Sequence, residues 1–486
     1  MTIENLDPQI VWKNFYALTQ IPRPSKKEGK AVEFMYNFGK SLGLETIKDE
    51  IGNVIIRKPA TPGMENVKGV VLQGHVDMVP QKNADTVHDF ENDPIQTWID
   101  GDWVKAKGTT LGADDGLGVA IGMAVLESKD IKHGPIELLC TVDEETGMTG
   151  AFALQSGLLQ GDILINLDSE TEGELYVGCA GGCDTTLTGS YEPEDVPAGF
   201  KAFKLAVKGF KGGHSGMDII LGRANANRIM ARVLYKLLLN DVEYRLGSFE
   251  GGTLRNAIPR EAFATIYVPE AKVEALQTVV AQSFAEVKTE FATTDPDANY
   301  VLEATEADGK CMDVLTAAKY VSAILACPDG VERMSADIPG LCETSNNLAV
   351  VKIAGGETHI QTLIRSSVDT AKRALRDRID AALSFTGAES IEFTGEYSGW
   401  APNTDSEILN LMKDTYKNLF GNEPEVKAIH AGLECGILGS KYPNWDMISC
   451  GPTLMSPHSP DERALIPTVA KVWTFIKAVL ENIPTK

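Results

Sequence analysis

The sequence predicts an α/β protein in which one α/β domain is interrupted by an inserted α+β domain. At 486 residues the chain is longer than a single ordinary core, since domains usually contain about 100–200 residues. Short apolar runs alternate with helical patterns near both ends of the chain, which is typical of buried strands covered by helices. The middle of the chain repeats a different order of strands and helices. These observations together predict two domains, one of them inserted into the other.

The first and last parts of the sequence each contain this alternation, and we assign residues 1–188 and 398–486 to one domain. The predicted helices of the first part are "VWKNFYALTQI" and "GKAVEFMYNFGKSLGL", and its strands are "NVIIRK", "GVVLQGHVDM", "IELLCTV" and "DILINLD". The last part adds the helix "SEILNLMKDTYKNLF", the strand "DMISCG" and the helix "TVAKVWTFIKAVL". Continuously apolar strands of this length predict a sheet that is buried on both faces.

Residues 189–397 form the predicted insertion, with two βαββαβ halves that divide near residue 305. The first half is read from "FKLAVKGF", "LGRANANRIMARVLYKLLL", "YRLGSFEGG", "REAFATIYVP", "AKVEALQTVVAQSFAEVKTEF" and "NYVLEATE". The second half is read from "LTAAKYVSAILACP", "NNLAVVKIAGG", "THIQTLIRSSV", "AKRALRDRIDAALSFTG" and "SIEFTGEY". The two halves do not match in sequence, so the repeat rests on the order of the elements.

Composition and charge exclude several classes of partner. Hydrophobic residues make up 43% of the chain and charged residues 23%, as in soluble globular proteins. There are 45 Lys and Arg against 68 Asp and Glu, and a net charge of −23 opposes binding to nucleic acid or to an anionic membrane. The sequence has no signal-peptide pattern and no apolar run of about 18 residues, which predicts a cytoplasmic location. Eight cysteines without a CxxC pair predict reduced thiols in the core.

Three of the predicted strands end in histidine or carboxylate side chains. His75 and Asp77 follow the first of them, Glu144 and Glu145 the second, and Asp168 the third. Each residue taken alone is more often a core, capping or solvated residue than a ligand. Open α/β sheets, however, bind their ligands beyond the carboxyl ends of the strands. The coincidence at three strands therefore favours one shared site.

A Gly-rich loop and a second histidine extend this set. In "GTTLGADDGLG", one of Asp114 and Asp115 can cap the following helix, while the other is free to point elsewhere. Imidazole and carboxylate without thiolate suit zinc, manganese or cobalt, and four carboxylates can hold two ions that share one bridging carboxylate. A symmetric two-metal site needs a second histidine, and His458 after "DMISCG" is the candidate. His88 and His133 are predicted to be solvated.

Seven motifs of the chain resemble those of a known family. "GHVDMV", "GTTLGADDGLG", "DEETGMTGA", "NLDSETEGELYVGCAGG", "RNAIP", "HAGLECG" and "GPTLMSPHSPDE" closely resemble the aminoacyl-histidine dipeptidases, a branch of the co-catalytic zinc peptidases that also include aminotripeptidases, carboxypeptidase G and aminoacylases. The motifs cover nearly the whole chain in order. The resemblance implies a zinc-peptidase-like α/β/α catalytic domain with an inserted α+β lid domain.

The resemblance also implies a set of metal ligands. His75 and Asp168 would bind one ion, and Glu145 and His458 the other. Asp114 would bridge the two ions, with the peptide bond after it in the cis form. The expected cofactor is two divalent ions per chain, Zn²⁺ first, with Mn²⁺ and Co²⁺ as alternatives.

The remaining implied roles concern catalysis. Asp77 would orient the imidazole of His75, and Glu144 would be the general base that takes a proton from the attacking water. His214, in the Gly-rich turn of "KGFKGGHSG", would stabilise the oxyanion that forms.

Three further residues are candidates for binding the substrate. Asn256 is a second candidate donor to the oxyanion. Arg365 suits a substrate carboxylate because a guanidinium binds a carboxylate bidentately. Glu434 is the candidate for binding the substrate ammonium.

The predicted function is the hydrolysis of unblocked dipeptides, including carnosine-type Xaa-histidine substrates, by a hydroxide that the metals and Glu144 generate. The alternatives are an aminotripeptidase, an N-acyl amino acid amidohydrolase with the same centre, and a non-catalytic metal-binding or scaffolding protein. The general base Glu144 favours an enzyme, since a binding protein needs no base. The expected partner is a small peptide, with the active site complete within one chain and a homodimer as an alternative assembly.

Overall fold

A computed structural model describes residues 2–306 and 309–486. The chain divides into two compact units. The first unit comprises Met1–Gly178, Pro402–Ala428 and Leu433–Lys486, and the second comprises Cys179–Ala401 and Ile429–Gly432. The predicted domain boundaries were residues 188 and 397.

The first part of the first unit contains the elements predicted from the sequence and several short ones. Its helices are α1 (Gln9–Thr19), α2 (Gly29–Ser41), α3 (Ala113–Glu127), α4 (Glu144–Gly147) and α5 (Thr149–Ala153), after a 3-10 turn at Ile3–Asn5. Its strands are β1 (Glu45–Lys48), β2 (Val54–Lys58), β3 (Val70–His75), β4 (Thr97–Asp100), β5 (Trp103–Ala106), β6 (Ile136–Thr141), β7 (Ile163–Asn166) and β8 (Glu174–Cys179).

Among its described residues, the second unit contains thirteen strands of very different lengths and four helices. The strands are β9 (Gly181–Ser190), β10 (Glu194–Asp195), β11 (Phe200–Lys208), β12 (Gly213–His214), β13 (Arg245–Gly251), β14 (Ala257–Ile258), β15 (Ala262–Pro269), β16 (Asn299–Thr305), β17 (Lys310–Cys311), β18 (Gly330–Met334), β19 (Cys342–Ala354), β20 (Glu357–Ser366) and β21 (Ser390–Tyr397). The helices are α6 (Ala226–Leu239), α7 (Val273–Glu290), α8 (Val314–Ala326) and α9 (Asp369–Ser384), with 3-10 turns at Ile219–Leu221 and Glu270–Lys272.

The chain then returns to the first unit and completes it. The returning helices are α10 (Glu407–Phe420), α11 (Glu434–Lys441) and α12 (Ile466–Glu481). The returning strands are β22 (Glu425–Ile429), β23 (Asp446–Ser449), β24 (Leu454–Met455) and β25 (Arg463–Leu465). Helix α10 begins and ends as its sequence predicts, because Ser406 Oγ accepts from the N–H of Leu409 at 3.0 Å and Gly421 takes a φ of 83°.

The main sheet of the first unit has eight strands in the order β1-β2-β6-β3-β7-β23-β8-β22. Its four central strands, β6, β3, β7 and β23, run parallel. All residues of β3, β6 and β7 are buried, as expected for parallel strands covered on both faces. Parallel strands bring their carboxyl ends to one edge of the sheet. The α/β prediction is therefore confirmed, and this edge is where His75 ends β3.

The described residues of the second unit form a nine-stranded sheet. Eight strands follow the order β16-β11-β15-β13-β19-β20-β9-β21, and the ninth, β18, pairs with β19. Strands β11, β13, β15 and β16 with helices α6 and α7 form the predicted first βαββαβ half. In the second half, β19, β20 and β21 occupy positions equivalent to β13, β15 and β16, and the two halves meet where β13 pairs with β19. The sequence pattern named no first strand for the second half. In the structure this strand is β9, which precedes the whole first half and lies between β20 and β21.

The eight cysteines are all buried and free of disulfides, which confirms the prediction of reduced core thiols. Within the described residues, no helix combines the length and the apolar character that crossing a bilayer requires.

Candidate functional site

The carboxyl edge of the main sheet brings His75, Asp114 and Asp168 together. His75 is the last residue of β3, and Asp168 lies two residues beyond β7. His75 Nε2 lies 3.2 Å from Asp114 Oδ1 and 3.4 Å from Asp168 Oδ1. Burial alone would lower the pKa of His75, but the charge of Asp168 and the hydrogen bond to Asp114 raise it. One imidazole therefore faces two carboxylates.

A second histidine meets the other oxygen of the same aspartate. His458 Nε2 lies 3.2 Å from Asp114 Oδ2 and 2.9 Å from Glu145 Oε2. Hydrogen bonds to Asp114 and Glu145 raise the pKa of His458 to about 11. Asp114 thus presents one oxygen to each of two histidines, and each histidine has a further carboxylate beside it.

This arrangement fits divalent cations. Ligand atoms of His75, Asp114 and Glu145 all lie within 4.8 Å of one another. Glu145 Oε1 is buried and has no hydrogen-bond partner among the described residues. Burial raises the pKa of Asp168 to about 7. Bound cations would offset the cost of burying the carboxylates of Glu145 and Asp168, since a buried carboxylate needs a compensating charge or hydrogen bond. Imidazole with carboxylate is a ligand set that suits zinc, manganese or cobalt.

Asp77 connects the histidine of β3 with the turn that carries the two glutamates. Its Oδ1 lies 3.4 Å from His75 Nδ1 and accepts from the N–H of Glu144 at 3.0 Å. Its Oδ2 accepts from the N–H of Glu145 at 3.3 Å and from the hydroxyl of Ser25 at 2.8 Å. The same carboxylate can therefore orient the imidazole and hold both glutamates in place.

Glu144 is half-buried, and its carboxylate has no hydrogen bond or ion pair with the residues that the structure describes. Burial raises its pKa. Asp143, the first of the three consecutive acids, has a structural role that the sequence did not reveal. It takes a φ of 52° and accepts hydrogen bonds from the hydroxyls of Thr146 and Thr149. Asp143 therefore stabilises the turn in which Glu144 and Glu145 lie.

The Gly-rich loop contains both features expected from its two aspartates. Asp115 Oδ1 accepts from the N–H of Gly118 at 3.2 Å, as a capping residue does, while Asp114 points to the histidines. The peptide bond between Asp114 and Asp115 is cis. Sequence reasoning missed two residues that hold this loop, Arg23 and Glu462.

The second unit brings His214 and Arg365 to one place. His214 Nδ1 accepts from the N–H groups of Gly216 at 3.2 Å and Met217 at 3.1 Å, so the proton of the neutral ring is on Nε2. The hydroxyl of Ser215 accepts from Arg365 Nε at 3.3 Å, and the N–H of Ser215 donates to the carbonyl of Asn256 at 2.8 Å. Arg365 is 7% exposed, and Asn256 lies at the surface. The three predicted residues are therefore linked through Ser215.

Two other histidines occupy positions that the sequence did not predict. His133, predicted to be solvated, is fully buried, and its Nδ1 lies 2.7 Å from the carbonyl of Gly134. That prediction was wrong because Thr61 holds the main chain of His133. The N–H and the hydroxyl of Thr61 donate to the carbonyl of His133 at 2.9 and 3.1 Å, and the N–H of His133 donates to the hydroxyl at 3.0 Å. His430 is buried in the second unit, where its Nε2 lies 2.7 Å from Ser345 Oγ. Burial lowers the pKa of His430 to about 3.

Glu434 and Glu170 are two further carboxylates of the first unit. Glu434 is fully buried, and its Oε2 accepts from Gln73 Nε2 at 2.6 Å and Thr141 Oγ1 at 2.7 Å. Glu170 is only half-buried, and no described residue forms a hydrogen bond or ion pair with its carboxylate. Burial and the nearby charge of Asp114 raise the pKa of Glu170 to about 7. Glu170 follows Asp168 in "NLDSE", a signal that sequence reasoning overlooked.

The chain is similar to several known proteins. Residues 71–482 match the model of "Peptidase family M20/M25/M40". The chain is 46% identical to the cytosol non-specific dipeptidase of Escherichia coli (strain K12), with 100% of this chain and 99% of the relative covered. The crystal structure of aminoacylhistidine dipeptidase from Vibrio alginolyticus is 47% identical, covers 100% of this chain and 99% of its own, and superposes with a TM-score of 0.95. Aminopeptidase PepT from Bacillus cereus, at 17% identity, 98% and 99% coverage and a TM-score of 0.58, shares the fold.

Proposed function

Because the chain belongs to peptidase family M20/M25/M40, we propose that it is a two-metal dipeptidase that acts on dipeptides with both termini free. The observation that supports this most directly is Asp114, whose two carboxylate oxygens face His75 and His458 separately. A carboxylate placed in this way can bridge two cations. The names of the E. coli and V. alginolyticus relatives support dipeptides, including Xaa-histidine dipeptides, as the substrate class, and the E. coli name supports a cytoplasmic location.

We propose that His75 and Asp168 hold one ion, that Glu145 and His458 hold the other, and that Zn²⁺ is the native metal. Bound cations would supply Lewis acidity for the peptide carbonyl and lower the pKa of a water towards neutrality. The protein's own contribution to proton transfer is Glu144, whose unpartnered carboxylate can take the proton from that water and return it to the leaving amine. The carboxylate of Asp77 fixes the position of Glu144 by accepting a hydrogen bond from the main-chain N–H of Glu144.

For the second unit we propose roles in substrate binding and oxyanion stabilisation. The Nε2–H of His214 is free to donate because Nδ1 already accepts two main-chain N–H groups. Arg365 donates from Nε to Ser215, and its guanidinium also forms a hydrogen bond with Tyr397. A guanidinium held in this way is positioned to bind a substrate carboxylate. Asn256 is the second proposed donor to the substrate.

The substrate ammonium needs a carboxylate, and we propose Glu170 for it in preference to Glu434. Glu434 is enclosed and already accepts from Gln73 and Thr141. Glu170 is reachable and unpartnered, and it lies two residues after Asp168. A free carboxylate beside a peptidase metal centre can pair with the α-ammonium of a short substrate, which would limit the enzyme to unblocked peptides.

Glu170→Gln should therefore raise KM for free dipeptides by about 10- to 100-fold, the loss expected when one charge-assisted hydrogen bond of about 1.5–3 kcal/mol is removed. Metal content should not change. The matched control is Glu172→Gln, since Glu172 already pairs with Tyr416 and Lys471. Steady-state kinetics on free and N-acetylated dipeptides would test this. An equal effect of both substitutions, or metal loss in Glu170→Gln, would contradict the ammonium role.

A substrate panel tests the proposed function. The purified protein, loaded separately with Zn²⁺, Mn²⁺ or Co²⁺, should hydrolyse dipeptides including β-alanyl-histidine, and chelation should abolish the activity. Tripeptides and N-acetyl amino acids should react at least about tenfold more slowly, a difference of about 1.4 kcal/mol in transition-state binding. Preferred cleavage of tripeptides would indicate an aminotripeptidase, and preferred cleavage of N-acetyl amino acids an amidohydrolase. Two bound metals without any hydrolysis would indicate a binding protein.

A further inference from the structure

The loop that carries Asp114 is held by two buried residues of opposite charge. Glu462 is 2% exposed and Arg23 is 1% exposed. Neither belongs to the proposed ligands or to the proposed base. Burying a charge is costly unless hydrogen bonds and opposite charges compensate it, so the contacts of these two residues indicate what they hold in place.

The carboxylate of Glu462 accepts from four consecutive main-chain N–H groups. Its Oε2 accepts from Leu111 at 2.6 Å and Gly112 at 2.9 Å, and its Oε1 accepts from Ala113 at 2.7 Å and Asp114 at 3.3 Å. Gly112 takes a left-handed φ of 67°. A left-handed residue next to a right-handed one turns successive N–H groups towards one anion. An internal carboxylate therefore fixes the main chain of Asp114.

Glu462 is also tied to the loop of the second histidine. It lies four residues after His458, and its N–H donates to the carbonyl of Ser459 at 3.0 Å. His458 itself takes a φ of 58°, a conformation that costs free energy in a residue other than glycine and that persists only where the surroundings enforce it. The Glu462 carboxylate consequently connects the His458 loop to the Asp114 loop.

Arg23 makes the corresponding connection to the first histidine. One terminal nitrogen donates to the carbonyls of Val76 at 3.0 Å and Asp77 at 3.1 Å, and the other donates to the carbonyl of Gly112 at 2.5 Å. A Cβ atom at Gly112 or Gly116 would lie 2.7 or 2.6 Å from that guanidinium. These glycines therefore leave space for Arg23, which joins the end of β3 to the same loop.

We infer that Glu462 and Arg23 are positioning residues that hold Asp114 at a set distance from His458 and His75 before any metal binds. This inference rests on the proposed metal centre. Both residues fix Gly112, since its N–H donates to the Glu462 carboxylate and its carbonyl accepts from the Arg23 guanidinium. Preorganised ligands bind a metal more tightly because binding then orders little of the chain, and loss of a residue that orients a ligand typically lowers metal affinity by about 10- to 100-fold.

The test is metal affinity, measured on the full chain by competition with a chelator for Zn²⁺ and by Co²⁺ absorption. Glu462→Gln should weaken binding by about 10- to 100-fold, since an amide cannot accept all four N–H groups. The matched control is Glu137→Gln. Glu137 is also a buried glutamate that accepts from main-chain N–H groups, those of Gln160 and Gly161, but it lies at the start of β6. The control should bind metal within about twofold of wild type, a difference well below the effect of losing an orienting residue.

A second variant keeps the inference testable if Glu462→Gln does not fold. Arg23→Lys retains the charge but cannot reach both connected segments with a forked side chain, and it should also lower metal affinity. Thermal melting of the metal-free proteins separates general destabilisation from a local effect on the ligands. Wild-type affinity in both variants, or equal losses in Glu462→Gln and Glu137→Gln, would overturn the inference. Wild-type protein that binds no metal would instead overturn the proposed metal centre.

Discussion

Glu144→Gln should leave two metal ions bound and lower kcat for dipeptide hydrolysis by about 10²- to 10⁴-fold, the usual contribution of a general acid–base. Glutamine has nearly the same shape but cannot accept a proton. The native carboxylate has no hydrogen bond or ion pair with the described residues, so the substitution breaks neither kind of contact. Turnover at saturating substrate and metal analysis of the same samples provide the measurement.

The matched control for Glu144→Gln is Glu174→Gln, in the same unit but at the start of β8, where Glu174 pairs with Lys427 and Tyr176. We expect that variant to retain its kcat. Turnover close to wild type in Glu144→Gln would reject the base, and loss of metal would show that Glu144 is a ligand instead.

Asp114→Ala should remove both metal ions, and with them all detectable hydrolysis. One side chain provides the oxygens that face His75 and His458, so truncation takes a ligand from each position at once. Two histidines and several carboxylates would then face one another without a bridging ligand. Metal content per chain after exhaustive dialysis is the decisive measurement, since a terminal ligand would cost one ion and a bridging ligand two.

The control for Asp114→Ala is Asp162→Asn. Asp162 Oδ2 accepts from the N–H of Gly69 at 2.8 Å. Gly69 directly precedes β3 and Asp162 directly precedes β7, so this contact lies at the opposite edge of the sheet. That variant should keep two ions. An Asp114→Ala protein that retains two ions would disprove bridging.

Much of the first unit could be predicted from sequence because its signals are local. Strands such as β3 are continuously apolar, and the polar residue that ends each of them marks the edge of the sheet. The motifs added the ligand set, since Asp114 and His458 are far apart in sequence and no spacing rule connects them. Helix α10 was predictable from Ser406 and Gly421 at its two ends.

Other features depend on long-range packing, and sequence patterns do not encode it. Strand β9 reads "GGCDTTLTGS", too rich in glycine and polar residues to stand out, and it is a strand because β20 and β21 pair with it on both sides. His133 is buried although its neighbours are polar. The contacts of Arg23 and Glu462 involve main-chain groups far from them in sequence, and no side-chain pattern marks such groups.

The position of β9 also bears on the order in which the second unit can assemble. Its two neighbours, β20 and β21, begin at Glu357 and Ser390, so β9 leaves the ribosome long before either of them. Strands β11 to β16 can pair among themselves meanwhile, as domains generally fold from the N-terminus during synthesis. Strand β9 must wait with both edges unpaired, and such edges are prone to pair with other chains. We therefore expect the slow, aggregation-sensitive stage of folding to be the closure of the second half around β9, a contact of high sequence separation.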